Sequence, residues 1–318
     1  MKYKAGFKYS LLLLSVVSLA TLATEEPAAG SPAGMTLIPA GEFIMGSDKA
    51  EQENSAGEFG NAKPWYVDEH PEHKVTLPAY YLDTYEVTNS QYAQFIKAVN
   101  SPPPENWVTN GYILTLKPGK LEQAPVEALR KVVSQVLQLD IDSRTLERTD
   151  LLEAINERLT ELGKLPVTYV TWDDADAYCR WAKKSLPSEA QWEKAARGSQ
   201  GSEFVWGSEW KAGMGNTGSE AWRDGAAPVG SYPTDKSPYG IFDLAGNVSE
   251  WVADWYKAYP QSDYSSKEFG EKQRVARGGA WGGEGHYTLH LFQRGAYRVN
   301  LDPSQTYEDV GIRCAKEG

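Results

Sequence analysis

The chain has 318 residues with a formal net charge of −11, 24% charged and 12% aromatic side chains, 29 glycines and 18 prolines. So many large rings among so many turn formers argue against long helical repeats and point to a loop-rich fold whose aromatics fill the spaces between turns. An acidic chain is also a poor partner for nucleic acid.

Residues 1–23 read as a secretory signal: Lys2, Lys4 and Lys8 precede an apolar run from Leu11 to Leu22, closed by Thr21-Leu22-Ala23. The run is too short to favour a membrane span. The expectation is an exported protein, periplasmic or secreted, without a span. Losing the three lysines takes the formal net charge from −11 to −14. Export would place Cys179 and Cys314, the only two cysteines, in an oxidising compartment. There an even pair is more often a disulfide than a catalytic couple, with two separately buried thiols as the alternative.

Residues 24–34, TEEPAAGSPAG, read as a small, polar linker, leaving 35–317 as the folded domain. MTLIPAGEFIMGS predicts two short strands around Pro39-Ala40-Gly41, and strands follow at 75–77 and 80–87. Asn89 or Ser90 is a plausible N-cap for a helix over 91–99. His70 and His73 have a metal-like spacing but no convincing further ligands, which favours a structural role.

Residues from about 111 to 163 read as an inserted helical pair. One face carries Leu129, Val132, Val133 and Val136, the other Leu151, Leu152, Ile155 and Leu159, with Asp150 as N-cap and Gly163 as the stop. The pair either packs on itself and the main body, or serves as a lid or a docking surface for a protein partner. Beyond it, Asp173 or Asp174 is expected to cap a helix over 175–183. Pro187 is expected to open a further helix, with Ser188 and Glu189 in its first turn, that runs to Arg197 and is stopped by Gly198.

The segment GIFDLAGNVSEW is the most specific in the chain. Asp243, Glu250 and the backbone around Gly246 and Val248 offer oxygen ligands at short, irregular spacing, as a hard cation such as calcium prefers. With DEHPEHKVTL, DTYEVTNSQYAQF, PVTYVTWDDADAYCRWA, LPSEAQWEKAARG, RVARGGAW and VGIRCA, in order from Met35 to Ala315, the sequence resembles the formylglycine-generating enzymes, also called sulfatase-modifying factors. The resemblance implies an α+β domain with much irregular structure and a C-type-lectin-like fold, interrupted here by the helical pair. It implies calcium held by Asp243, the Gly246 and Val248 carbonyls and Glu250, a second calcium near Asn216 and Thr217, and a disulfide between Cys179 and Cys314. The acidic ligand of the second site is open between Glu220 and Asp224.

The resemblance also implies where the chemistry departs. The family oxidises a substrate cysteine at two copper-binding cysteines shortly after RGG, and the segment from Gly282 to Gln293 contains none. Thiolate selects Cu(I), so that mechanism is expected to be absent. Ala280 stands where the family has its active-site serine, and Ser249 where it has a tryptophan of the substrate cleft. His286 and His290, with Glu284 nearby, are candidates for a replacement redox metal, iron or copper. Arg294 and Arg298 are candidates for holding an anionic or phenolic substrate.

Two functions are compatible with this pattern. One is an oxidative maturation factor like the cysteine-lacking relatives that assist siderophores such as pyoverdine. The other is a noncatalytic module whose lectin-like surface binds a ligand or protein through Trp281, Tyr287, Phe292, Tyr297 and Tyr307. Core packing is the competing role for those rings.

Overall fold

The computed structural model describes residues 32–51, 56, 63–217, 225–282 and 290–318. The expected signal and most of the linker lie outside the described residues, as do Glu220, Asp224, Glu284, His286 and Tyr287. No described helix is long and apolar enough to cross a membrane.

Pro39-Ala40 separates β1 (Met35–Ile38) from β2 (Gly41–Met45), but these strands do not pair with each other. β2 runs antiparallel to β3 (His73–Leu77), and β1 to β4 (Tyr80–Asp83), which also takes β9 (Ala315–Glu317) on its other side. The strand expected to reach Val87 stops at Asp83 because its backbone partners change: the Val87 N–H donates to Ile312 O at 2.8 Å. The largest described sheet has the order β7 (Arg298–Leu301), β6 (Arg274–Arg277), β5 (Ser249–Trp255) and β8 (Val310–Gly311). Only the β5–β8 pair in that sheet is parallel.

Helix starts follow local hydroxyl chemistry. α1 (Asn89–Val99) is capped by Thr88, whose hydroxyl accepts the Gln91 N–H while the Gln91 side chain closes a capping box. Asn89 does not cap because it is buried, donating to Leu162 O and accepting from Trp107 Nε1, both at 2.9 Å. Within the inserted segment, α2 (Val126–Lys131) passes into a π-turn over Val132–Val136, and α3 (Arg148–Gly163) starts at a Glu147 cap with Asp150 as its N3 partner. α4 (Trp172–Trp181) begins after Thr171, with Asp174 completing the box, and α5 (Glu189–Arg197) lies between the Ser188 cap and Gly198.

The insertion is part of the main core. Leu129, Val133, Leu151 and Ile155 are fully buried in one cluster with Tyr92, Phe95, Trp251, Ile312 and Cys314. Val136 departs from the expected apolar face and is 36% exposed, because the wider π-turn shifts the helical phase. The Cys179–Cys314 disulfide forms as expected, with Cα atoms 5.7 Å apart, and ties α4 to the segment leading into β9 across 135 residues of sequence.

Replacing Cys314 by Ser should remove about 5 kcal/mol of stability on the chain-entropy model of loop closure, read as a lower denaturant midpoint. Ile155→Ala should cost about 2–5 kcal/mol, as for other buried large-to-small changes. It should lower the midpoint of a single transition; a separate early transition would mean that the insertion folds independently.

Candidate functional site

The two segments expected to hold calcium lie against each other. The Asn247 N–H donates to Asn216 O at 2.7 Å, and Asn216 Nδ2 donates to Asn247 Oδ1 at 3.2 Å. Glycine is required at position 246, where a Cβ would stand 2.4 Å from Asn216 O. Asp243 and Asn247 adopt left-handed backbone, with φ of 60° and 68°, a conformation that Asp and Asn enter more readily than other non-glycine residues. The RGGAW segment closes over the same loop. The Trp281 N–H donates to Asn247 O at 2.9 Å, and a Cβ on Gly279 would meet Ala245 O at 2.3 Å.

Beneath these loops four carboxylates, Glu86, Asp235, Asp243 and Glu250, are buried around one guanidinium, Arg313. Arg313 donates to Glu250 Oε1 at 2.8 Å through Nε, with Nη2 forming an ion pair to the same oxygen at 2.6 Å, and to the carbonyls of Asp83 (2.9 Å) and Phe242 (2.8 Å). Glu250 Oε2 accepts the Trp192 indole N–H. Asp235 accepts the N–H groups of Leu244 and Ala245; burial first, then the field of Asp243, pushes its carboxyl up to about 8. Burial likewise raises Asp243 and Glu250, and it raises Glu86 well above its ordinary value, with Asp243 adding to the effect. Surplus buried negative charge, oxygen donors and a turning backbone are the conditions calcium favours. Charge and donor type here suit calcium, although both oxygens of Glu250 already have protein donors and no three of these carboxylates converge as a ready-made ligand group among the described residues.

A second buried network replaces the substrate role expected for Arg294 and Arg298. Arg298 donates to Glu189 Oε1 (2.7 Å) and Oε2 (2.9 Å), to Asp68 O (2.8 Å) and to Lys257 O (3.1 Å). Arg294 chelates Glu69 at 2.7 and 2.8 Å, bonds to Glu203, and lies over the Tyr66 ring. Both guanidiniums are buried. Most of their donors are spent on buried protein groups, so they act first as ties that hold the scaffold together. Arg277 joins the same network through Glu189 and Glu193, each at 2.7 Å. Burial would raise Glu193, but Arg277 and then Arg197 bring it below its ordinary value.

Of the proposed redox-metal residues, His290 alone is described. It is exposed, and its ring packs on Trp210 with centroids 5.6 Å apart. Trp210 Nε1 donates to the buried Gln293 at 3.3 Å. Among the described residues no three His, Cys, Asp or Glu side chains gather as a metal group. Ser249 is buried with its hydroxyl on Gly278 O at 2.9 Å, and Ala280 is buried as well. His73 bonds to Pro71 O at 2.8 Å and packs on Tyr259. Of the described candidate contact rings, Phe292 is buried and packs on Trp65 and Tyr297, whereas Trp281, Tyr297 and Tyr307 are half-buried, the last packing on Trp251.

Sequence reasoning missed Glu86, Glu189, Glu193 and Asp235. Glu189 and Glu193 share a helix face with Arg197, an i, i+4, i+8 spacing that marks a charged stripe without saying that it is buried. Glu86 and Asp235 carry no spacing signal, since their partners come from distant loops.

The profile of the sulfatase-modifying factor enzyme 1-like domain matches residues 20–318. A formylglycine-generating enzyme of Streptomyces coelicolor is 30% identical over 332 aligned positions, covering 96% of this chain and 97% of that protein. A Bos taurus protein described as inactive C-alpha-formylglycine-generating enzyme 2 is 27% identical, covering 95% and 94%. The solved structure of PvdO from Pseudomonas aeruginosa superposes with a TM-score of 0.55 at 23% identity, covering 89% of this chain and 94% of that one, so the two share a fold. The α+β, irregular, C-type-lectin-like architecture expected from sequence is the one the chain adopts.

Arg298→Met should destabilise the folded state by about 3–5 kcal/mol, because it leaves Glu189 buried beside fewer donors. Chemical denaturation measures this. A ligand-binding defect at unchanged stability would restore the substrate role for Arg298.

Proposed function

The chain belongs to the sulfatase-modifying factor family, and from that premise we propose that it is an exported member without thiol-based formylglycine generation that acts in oxidative maturation of the siderophore-tailoring type. One observation carries the first half: both cysteines of the chain are joined in a single, fully buried disulfide. No thiolate is left to hold Cu(I), the soft ion that such ligands select.

The second half rests on the surface next to the departure. His290 is exposed beside Trp210, and His286 and Glu284 precede it closely in sequence. Imidazole and carboxylate are donors for iron or copper, and such a metal, when bound, supplies one-electron chemistry. With Arg294 and Arg298 committed to the interior, recognition of an aromatic substrate falls to the Trp210 ring, which stacks a planar group at low entropic cost. Calcium at the Asp243 loop serves the scaffold in this reading.

A second reading is a noncatalytic binding module, and it is favoured by the 46% exposure of Trp210. An exposed indole braced by His290 and Gln293 is a ready contact for a ligand or protein. The inserted helices would then add a second surface for a protein partner.

Metal analysis separates the readings. The maturation reading expects purified protein to hold about one equivalent of iron or copper, lost in His290→Ala and in His286→Ala with folding retained. Calcium as the only bound metal would favour the binding module. Conversion of a sulfatase cysteine peptide to formylglycine under oxygen and copper would overturn both.

A further inference from the structure

A cavity of about 430 Å³ opens where the end of β5, the paired ends of β2 and β3 and the first turn of α5 meet. That volume is in the range of pockets for small molecules. Its floor is held firmly. Arg298 is clamped by both oxygens of Glu189 and lies 4.1 Å from the Tyr259 ring centroid, while the Tyr259 hydroxyl donates to Glu189 Oε1 at 3.2 Å. One wall is fixed as well. The Trp255 ring centroid lies 3.6 Å from the Arg274 guanidinium, and the same guanidinium lies 3.7 Å from that of Trp172.

Three polar side chains on the lining are not consumed by the floor. Asp254 Oδ2 accepts the Glu189 N–H at 2.6 Å, but no described cation forms an ion pair with this carboxylate. Burial pushes its carboxyl above the ordinary value. His73 Nδ1 bonds to Pro71 O at 2.8 Å, so Nε2 of the neutral ring is left as an acceptor. Lys257 is exposed, and its amine pairs with no described carboxylate. Met45, Ala190 and Pro260 add apolar surface to the same cavity.

We infer that this cavity binds a small zwitterion with an apolar side group, the chemistry of a free α-amino acid. Asp254 and His73 accept from the ligand ammonium, Lys257 donates to its carboxylate, and the side group lies against Met45 and Pro260. A doubly charged ligand is favoured over a singly charged one because each of its ends meets a protein group of opposite charge, and charge-assisted hydrogen bonds are the strong ones. The fixed floor and wall lower the ordering cost of binding. The site shares no residue with the Trp210 surface and depends on neither function proposed for it.

The test is calorimetric titration of the purified full chain with three probes: L-phenylalanine, phenethylamine, which lacks the carboxylate, and 3-phenylpropionate, which lacks the amine. L-phenylalanine should bind at least about tenfold more tightly than either of the others, the size expected for one charge-assisted contact. Lys257→Met removes an exposed, unpaired amine and should bring L-phenylalanine down to the affinity of phenethylamine without changing the melting temperature. Asp254→Asn should bring it down to that of 3-phenylpropionate. Ala258→Trp, which fills the cavity from an exposed position on its lining, should abolish binding of all three. Equal affinity for the three probes, or no binding of any of them at millimolar concentration, would overturn the inference. Unchanged L-phenylalanine affinity in Lys257→Met or in Ala258→Trp would overturn it too, by placing the binding elsewhere.

Discussion

Arg313 is the side chain on which the remaining architecture converges. Its guanidinium joins β5 through Glu250, the end of β4 through Asp83 O, and the loop before β5 through Phe242 O, all without solvent. It is followed by the disulfide-bonded Cys314, whose N–H donates to Asp83 Oδ2 at 3.0 Å. A planar, permanently charged fork is suited to this work, because several fixed donors satisfy carbonyls and a carboxylate at once. The C-terminal segment is therefore pinned by a covalent bond and an ion pair at adjacent residues.

Burial of charge is the recurring device in a domain with short strands. The described sheets are small, and long helices are few outside the insertion, so regular backbone hydrogen bonding covers limited ground. Glu189 and Glu193 on one face of α5 bind Arg277, Arg298 and Arg197, and Arg294 draws Glu69 and Glu203 together. Such networks add little net stability over apolar packing, but they penalise wrong arrangements heavily. In a loop-rich fold they specify which loop meets which.

The same economy shapes the face where the family's chemistry would sit. Glycine at 246 and 279 lets three backbone segments approach within van der Waals contact, and Asn247 bonds to each neighbour. That framework is kept although the thiols are not, and positions 249 and 280 carry a buried serine and a buried alanine. Retention of scaffold without the original ligands is consistent with a family that contains members described both as generating enzymes and as inactive.

Much was legible in sequence. Motif order from Met35 to Ala315 determined the family and fold, and the end of α5 at Arg197 followed from Gly198, although its start lies two residues beyond Pro187 because the Ser188 hydroxyl caps it. Cysteine pairing followed from the compartment and the resemblance. Other features depended on contacts between distant segments. Thr88 displaced Asn89 as a cap because Asn89 was needed by Leu162 and Trp107, and Val136 turned outward on a π-turn. Arg294 and Arg298 look in sequence like any functional arginines near a site; only their enclosure by Glu69, Glu203 and Glu189 assigns them to the interior. The charge type of a residue is written locally, whereas whether that charge faces water or a partner is decided by where the folded chain brings the counter-charge.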